Sequence, residues 1–396
     1  MKKFLALILV LAMTLSLVSC GTSGSSQSNT SNKTLNIGVF EPASGDNGAG
    51  GKQETLGIQY ANSVTPTVEI NGETYSVALK IVDNQSATDK APTAAQQLVS
   101  DGVSVVLGSY GSGVSMAAAP IFEQAKIPAI GASCTNPAVT QNRPYYFRVC
   151  FIDPFQGSVM ANFVKDQFNA KKAYVLNMLG EDYGSGLATY FANAFKKQGG
   201  EVKAEAFPEG TSDFSAYIQN AISYGADVIF APSATTYASL IISQAASAGC
   251  KIPITGGDTW ESSVILDAQK GTNLKVYVST FFDENDKSGV AATFVTGFKA
   301  WLNADPQRKT DNGGNDIVAA VSALGYDAYM TAIEAIKTAN STTGEDIKNA
   351  MPKVSFDGVT GHISFPNGGD AAKSEAFIKQ ADNGAFKFIK RQSSTS

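Results

Sequence analysis

Hydroxyl and carboxylate side chains placed just after apolar runs are where this chain could do small-molecule chemistry. The segment Gly108-Ser-Tyr-Gly-Ser-Gly-Val-Ser115 follows one such run and opens an amphipathic stretch. Free backbone N–H groups at a helix start attract anions, and Ser112 adds a hydroxyl. Capping of the helix by that serine is the competing reading. Gly131-Ala-Ser-Cys-Thr-Asn-Pro137 follows the next run and offers the hydroxyls of Ser133 and Thr135. Gly180-Glu-Asp-Tyr-Gly-Ser-Gly186 puts Tyr183 at a helix start, and Gly256-Gly-Asp-Thr-Trp260 puts Asp258 at a strand end. Asp258 is either a cap or the partner of a ligand cation. Together these loops offer neutral donors for an anion and one carboxylate for a cation. That set matches a zwitterion such as a free α-amino acid, whose ammonium would be costly to bury unpaired.

Other chemistries find little support. The net charge is −5, and only four residues are arginine (Arg143, Arg148, Arg308, Arg391), so no nucleic-acid partner is expected. The glycine-rich stretch Glu41–Gly51 has neither a Gly-x-Gly-x-x-Gly spacing nor a Walker lysine, which argues against a nucleotide site. Cysteines at 20, 134, 150 and 250 show no metal-ligand spacing, and no cofactor or metal is expected. The single histidine, His362, is read as structural and remote from every serine loop. No enzyme activity is expected.

The elements that would position these loops follow from the apolar pattern. Strands are expected at Leu35–Phe40, Ser104–Leu107, Ile127–Ile130, Ala173–Met178, Asp227–Ala231, Ile252–Thr255 and Lys275–Ser279. Several are near-continuous apolar runs, as in sheets covered on both faces. Val114, Ala117, Ala118, Ile121, Phe122 and Ala125 share one helix face, as do Leu187, Tyr190, Phe191, Ala194 and Phe195. Strand-then-helix alternation over this length implies an α/β fold of two doubly wound parallel-sheet lobes. Ligands of such sheets bind beyond the carboxyl ends of the strands.

The first twenty residues read as an export signal. Lys2 and Lys3 precede the mostly apolar run Phe4–Val18, too short to span a bilayer comfortably. Leu17-Val18-Ser19-Cys20 resembles a bacterial lipobox, which implies cleavage before Cys20 and lipidation of its thiol; an ordinary secretory signal is the alternative. The Ser/Gly/Asn-rich stretch 21–33 is a flexible tether with a reach of about 20 Å.

From residue 34 onward the chain resembles type I periplasmic binding proteins, in particular the branched-chain amino acid (Leu/Ile/Val) binding branch of ABC transporters. The resemblance rests on Ile37–Gly45, Gly108–Ser115, Gly131–Pro137, Asp182-Tyr-Gly184, Gly256-Gly-Asp258 and Gly325-Tyr-Asp-Ala328, taken in order. It implies that Ser112, Ser133 and Thr135 hold a ligand carboxylate. It further implies that Tyr183 closes over the ligand, that Asp258 takes the ammonium, and that Phe281 or Phe282 lines a side-chain pocket. Tyr110, Tyr237 and Trp260 are further candidates for that pocket, with packing an equal alternative for Tyr110 and Trp260. The first-lobe aromatic of the branch is replaced here by Asn47-Gly-Ala-Gly-Gly51. The fold so implied has a three-strand hinge, with crossings near Cys150–Asp153, Ser279–Phe282 and Phe356–Gly361. The resulting domains are a signal peptide (1–19), a lipidated cysteine and tether (20–33), lobe 1 (34–152 plus 282–356) and lobe 2 (153–281 plus 357–393). The implied function is a monomeric, lipid-anchored solute-binding protein on the outer face of the cytoplasmic membrane. It would serve ABC permease and ATPase subunits and bind a branched-chain or other apolar or aromatic amino acid. An amide, a urea-like compound or an aromatic acid is the alternative solute. Cys134, Cys150 and Cys250 are read as buried thiols, with a Cys134–Cys150 bond as the alternative.

Overall fold

Apolar runs become strands where helices cover both sides, and each helix carries the chain back to start a parallel neighbour. The computed structural model describes residues 33–286, 289–366 and 368–394. The strands are β1 (Lys33–Glu41), β2 (Thr67–Ile70), β3 (Glu73–Asp83), β4 (Val105–Leu107), β5 (Ala129–Gly131), β6 (Tyr146–Arg148), β7 (Lys172–Met178), β8 (Glu201–Phe207), β9 (Val228–Phe230), β10 (Ile254–Gly256), β11 (Val276–Thr280), β12 (Ser355–Gly358), β13 (Gly361–Ser364), β14 (Ala376–Asp382) and β15 (Ala385–Gln392). The helices are α1 (Gly48–Val64), α2 (Ala91–Ser100), α3 (Ser112–Gln124), α4 (Asp153–Phe168), α5 (Asp182–Lys197), α6 (Ser215–Tyr224), α7 (Thr235–Ser247), α8 (Ser263–Gln269), α9 (Gly289–Asn303), α10 (Pro306–Asp311), α11 (Ala320–Ala339) and α12 (Gly344–Ala350).

Two sheets result, in the orders β2-β3-β1-β4-β5-β6 and β15-β14-β11-β10-β9-β7-β8, with β12 and β13 pairing as a separate hairpin. The central pairings are parallel, with Ile37 between Leu79 and Val105 in register. The seven expected strands are present, each within two residues of its expected bounds. The sheets are not wholly parallel, however. β2 runs antiparallel to β3, β14 to β11, and β15 to β14. The edge strands β2 and β15 mix exposed with buried or half-buried residues, so they lack the continuous apolar run that marks a central strand.

Each sheet is sandwiched by helices. In the first lobe α1 and α11 cover one face and α2 and α3 the other. In the second, α4 and α5 lie opposite α6, α7 and α8. The closest helix pair is α1 with α11. A Cβ on Gly57 would lie 1.9 Å from the Ser322 carbonyl oxygen, and one on Gly325 would lie 2.3 Å from that of Glu54. Only glycine admits so close an approach.

The chain passes between the lobes three times: between β6 and α4, between β11 and α9, and between α12 and β14. The first two passages touch through the rings of Phe151 and Phe281, whose centroids lie 4.2 Å apart. No helix among the described residues is long and apolar enough to cross a membrane.

Candidate functional site

Five of the residues picked out by the loop reading converge in the cleft between the lobes. Ser112 is the first residue of α3, and the helix cap is Gly111, so the serine is not the cap. Its hydroxyl instead accepts from the Asn136 amide at 3.2 Å and ties α3 to the loop after β5. On that loop Ser133 donates to the Glu54 carboxylate of α1, and Thr135 sits beside the Asp153 carboxyl at the start of α4. From the second lobe, Asp258 lies just beyond β10. It accepts at 2.9 Å from both the Tyr183 hydroxyl and the Gln156 amide, and Gln156 also donates to Ser279 at 2.9 Å. Ser112, Ser133, Thr135, Asp258 and Tyr183 are all buried.

The loop carrying Ser133 and Thr135 is held from behind by Arg148, which is fully buried at the end of β6. Its guanidinium reaches Asp370 at 2.7 Å, the carbonyl oxygens of Cys134 and Asn136 at 2.7 Å each, and the Thr140 hydroxyl at 2.9 Å. The planar five-donor fork of arginine suits such a multi-carbonyl hold, whereas a lysine would satisfy fewer acceptors. A strand-end arginine beside apolar residues is the only sequence signal for it.

The electrostatics of the cleft are acidic. Burial pushes the Asp258 carboxyl up to about 6, against the opposing pull of the Gln156 and Tyr183 hydrogen bonds. Glu54 is pushed up to about 7, again by burial. Glu41, at the end of β1, stands well above the usual carboxylate range because it is buried and faces Glu54. Asp153 is raised by burial as well. Glu41 also accepts from the Tyr110 amide at 2.7 Å, which fixes the turn after β4. Glu41, Glu54, Gln156 and Arg148 received no role in the sequence reading. Glu54 and Gln156 lie on helix faces, where a polar residue gives no sign of pointing inward.

Several hydrogen bonds join the lobes across the cleft, so this is a closed form. Asn136 donates to the Asp182 carbonyl at 2.8 Å, Thr235 to the Asp46 carbonyl at 3.0 Å, and the Tyr110 hydroxyl to the Thr259 carbonyl at 3.4 Å. Outside this contact the cleft widens to a vestibule of about 460 Å³, bordered by Tyr110, Tyr183 and Thr259. The Tyr110 ring fills the space over Gly50, where an added Cβ would come within 2.4 Å of it. An aromatic therefore does stand beside the Asn47–Gly51 stretch, which forms the cap and first turn of α1, and it is supplied from just beyond the neighbouring strand β4.

Three expected pocket residues lie elsewhere. Tyr237 packs in the second-lobe core against Phe207, at 5.2 Å between centroids, and its hydroxyl accepts from the Gly210 amide at 3.1 Å. Phe281 stacks on Phe151, and Phe282 packs edge-on to Phe294 at 6.3 Å. Both line a separate groove at the interlobe passages, not the clamp. Phe281 and Phe282, one and two residues beyond the end of β11, are drawn to the nearest apolar surface, which here lies at the interlobe passages. Trp260 is fully buried over Gly256 and donates to the Ser233 carbonyl at 3.2 Å, the packing role.

The remaining cysteines are free and buried, and burial pushes the Cys134 thiol up to about 12. His362 has a serine close by, Ser355, which lies on none of the strand-end loops read as the site. The imidazole lies 2.8 Å from Asp357 and 3.3 Å from Ser355 on the exposed β12–β13 hairpin. There the histidine side chain is 55% and the aspartate 84% exposed, so water competes for every bond of the trio. Cys20 and the export signal lie outside the described residues.

Two sheet-and-helix lobes with converging strand-end loops define a class of cleft-binding proteins, and the comparisons name it. Residues 34–385 match the family model described as periplasmic binding protein, and the chain belongs to that family. A leucine-binding protein of known structure from Thermotoga maritima is 32% identical with a TM-score of 0.83, covering 91% of this chain and 99% of its own. A branched-chain amino acid substrate-binding protein from Streptococcus pneumoniae, solved with isoleucine, is 28% identical with a TM-score of 0.79 and the same coverage. Among curated relatives, a Leu/Ile/Val-binding protein homolog from Brucella suis is 28% identical over 348 residues, 84% of this chain and 86% of that protein. A benzoate-bound solute-binding protein from R. palustris, 20% identical with a TM-score of 0.79, shares the fold. The chain is an extracytoplasmic solute-binding protein, not an enzyme.

Proposed function

We propose that this chain is the lipid-anchored binding component of an ABC importer and captures a free α-amino acid between its lobes. The observation that carries this reading is Asp258, a buried carboxylate held by the neutral donors Gln156 and Tyr183, with no cation in ion-pair distance among the described residues. Beside a carboxylate so placed, a ligand ammonium supplies the missing countercharge. Ser112, Thr135 and the neighbouring backbone receive the ligand carboxylate, and Ser133 joins them once it turns from Glu54. The interlobe passages act as the hinge, and the lobes close on the solute as in other two-lobed binders. Cys20 carries the lipid, the stretch 21–33 acts as tether, and a monomer hands the solute to permease and ATPase subunits. The relatives named for leucine, isoleucine and valine support an amino acid as the solute class.

The test is a thermal-shift screen of the refolded, ligand-stripped protein against amino acids, small amides, aromatic acids and sugars. A ligand at a hundred times its Kd adds about 2.7 kcal/mol of stability. Amino acids alone should raise Tm. A rise with benzoate or a sugar and none with any amino acid would sink the reading.

A further inference from the structure

The cleft carries more carboxyl and carbonyl acceptors than one ammonium can engage. Behind Asp258 lie the buried carboxyls of Glu41, Glu54 and Asp153, and the wholly buried amide oxygen of Gln156 has no donor among the described residues. The nearby buried cations are already committed: Arg148 to Asp370 and loop carbonyls, and Lys379 to Glu261. Outside the clamp the imbalance continues. The vestibule is lined by Asp46, Asp89, Glu181, Asp182 and Glu209 and by no lysine, arginine or histidine. Glu181 is used in capping α5, and Asp89 pairs with Lys90 at 3.1 Å. Asp46, Asp182 and Glu209 have no cation within ion-pair distance among the described residues. Tyr110 and Tyr183 also border this space, and their ring faces attract cations. A concave surface of one sign concentrates ligands of the other.

We propose that the captured amino acid is basic, its side-chain ammonium or guanidinium lying in the vestibule among Asp46, Asp182 and Glu209. This rests on the amino-acid reading of the cleft and deepens it, and it departs from the apolar side chain that the resemblance implies. The backbone of the ligand stays at Asp258 and the hydroxyl loops, and the side chain runs outward past Tyr110 and Tyr183.

Calorimetric titration of the full-length, ligand-stripped protein in detergent, at low and high salt, tests it. The probes are L-lysine, L-arginine, L-norleucine, L-leucine and benzoate. Lysine or arginine should bind about tenfold or more tighter than norleucine at low salt. The gap should narrow at high salt. It should also shrink in a variant carrying Asp182→Asn and Glu209→Gln, both at exposed positions where folding is not at stake. Leucine or norleucine binding at least as tightly as both basic amino acids would overturn the proposal and leave the amino-acid reading standing. A basic preference unchanged in the double variant would overturn the placement in the vestibule. Binding of benzoate alone would remove the amino-acid reading itself.

Discussion

Asp258 draws its role from what surrounds it: a strand end that delivers it, burial that raises its carboxyl to about 6, and only neutral hydrogen-bond donors. Replacement by Asn keeps the shape and removes the charge. Breaking a buried ion pair costs about 3–5 kcal/mol, so Asp258→Asn should weaken amino-acid binding by roughly a hundredfold or more, read by calorimetry. The pH dependence has a definite sign. Below about 6 the free carboxyl is protonated and must give up its proton before it can pair with an ammonium. Affinity should therefore hold between pH 7 and 8 and fall by about tenfold per unit once pH drops below that value. Flat affinity down to pH 5 would remove Asp258 as the ammonium partner. At this scale the convergence of Ser112, Ser133, Thr135, Tyr183 and Asp258 on one cleft was foreshadowed in the sequence, because short loops after apolar runs announce themselves. Tyr237, Phe281 and Phe282 misled because an aromatic near a strand end packs equally well inward, and only tertiary contacts decide which.

Among the elements, central strands were readable and edges were not. β4, β5 and β9 are wholly buried three-residue runs, and their burial leaves the same mark in sequence as in structure. The edge strands β2 and β15 mix exposed with buried or half-buried residues, and their polar positions read as loop or surface. The closeness of α1 and α11 was equally hidden, since a glycine in a helix gives no sign of what it faces. Gly57→Ala would drive a methyl into the Ser322 carbonyl, 1.9 Å from the new Cβ. Overpacking of this kind costs about 1–3 kcal/mol. The variant should melt a few degrees lower in a thermal scan. Because α1 also carries Glu54, which accepts from Ser133, the same change should weaken solute binding. An unaltered Tm would mean that the two helices separate without penalty.

For the whole molecule, the closed state is held by side chains of one lobe reaching carbonyl oxygens of the other. Such bonds form only on closure, so they act on dissociation of the bound solute. Thr235→Val removes one of them and keeps the side-chain shape. A hydrogen bond contributes about 0.5–1.5 kcal/mol net, so koff should rise about two- to tenfold in stopped-flow release, with the Tm of the empty protein unchanged. Equal loss in both measurements would place the bond in the open form as well. The threefold passage of the chain between lobes has a consequence for descent. Neither lobe is one continuous stretch of coding sequence, so a single crossover between two related genes cannot exchange a lobe intact. New solute preferences must then arise by local change in the strand-end loops, while the paired sheets are inherited together.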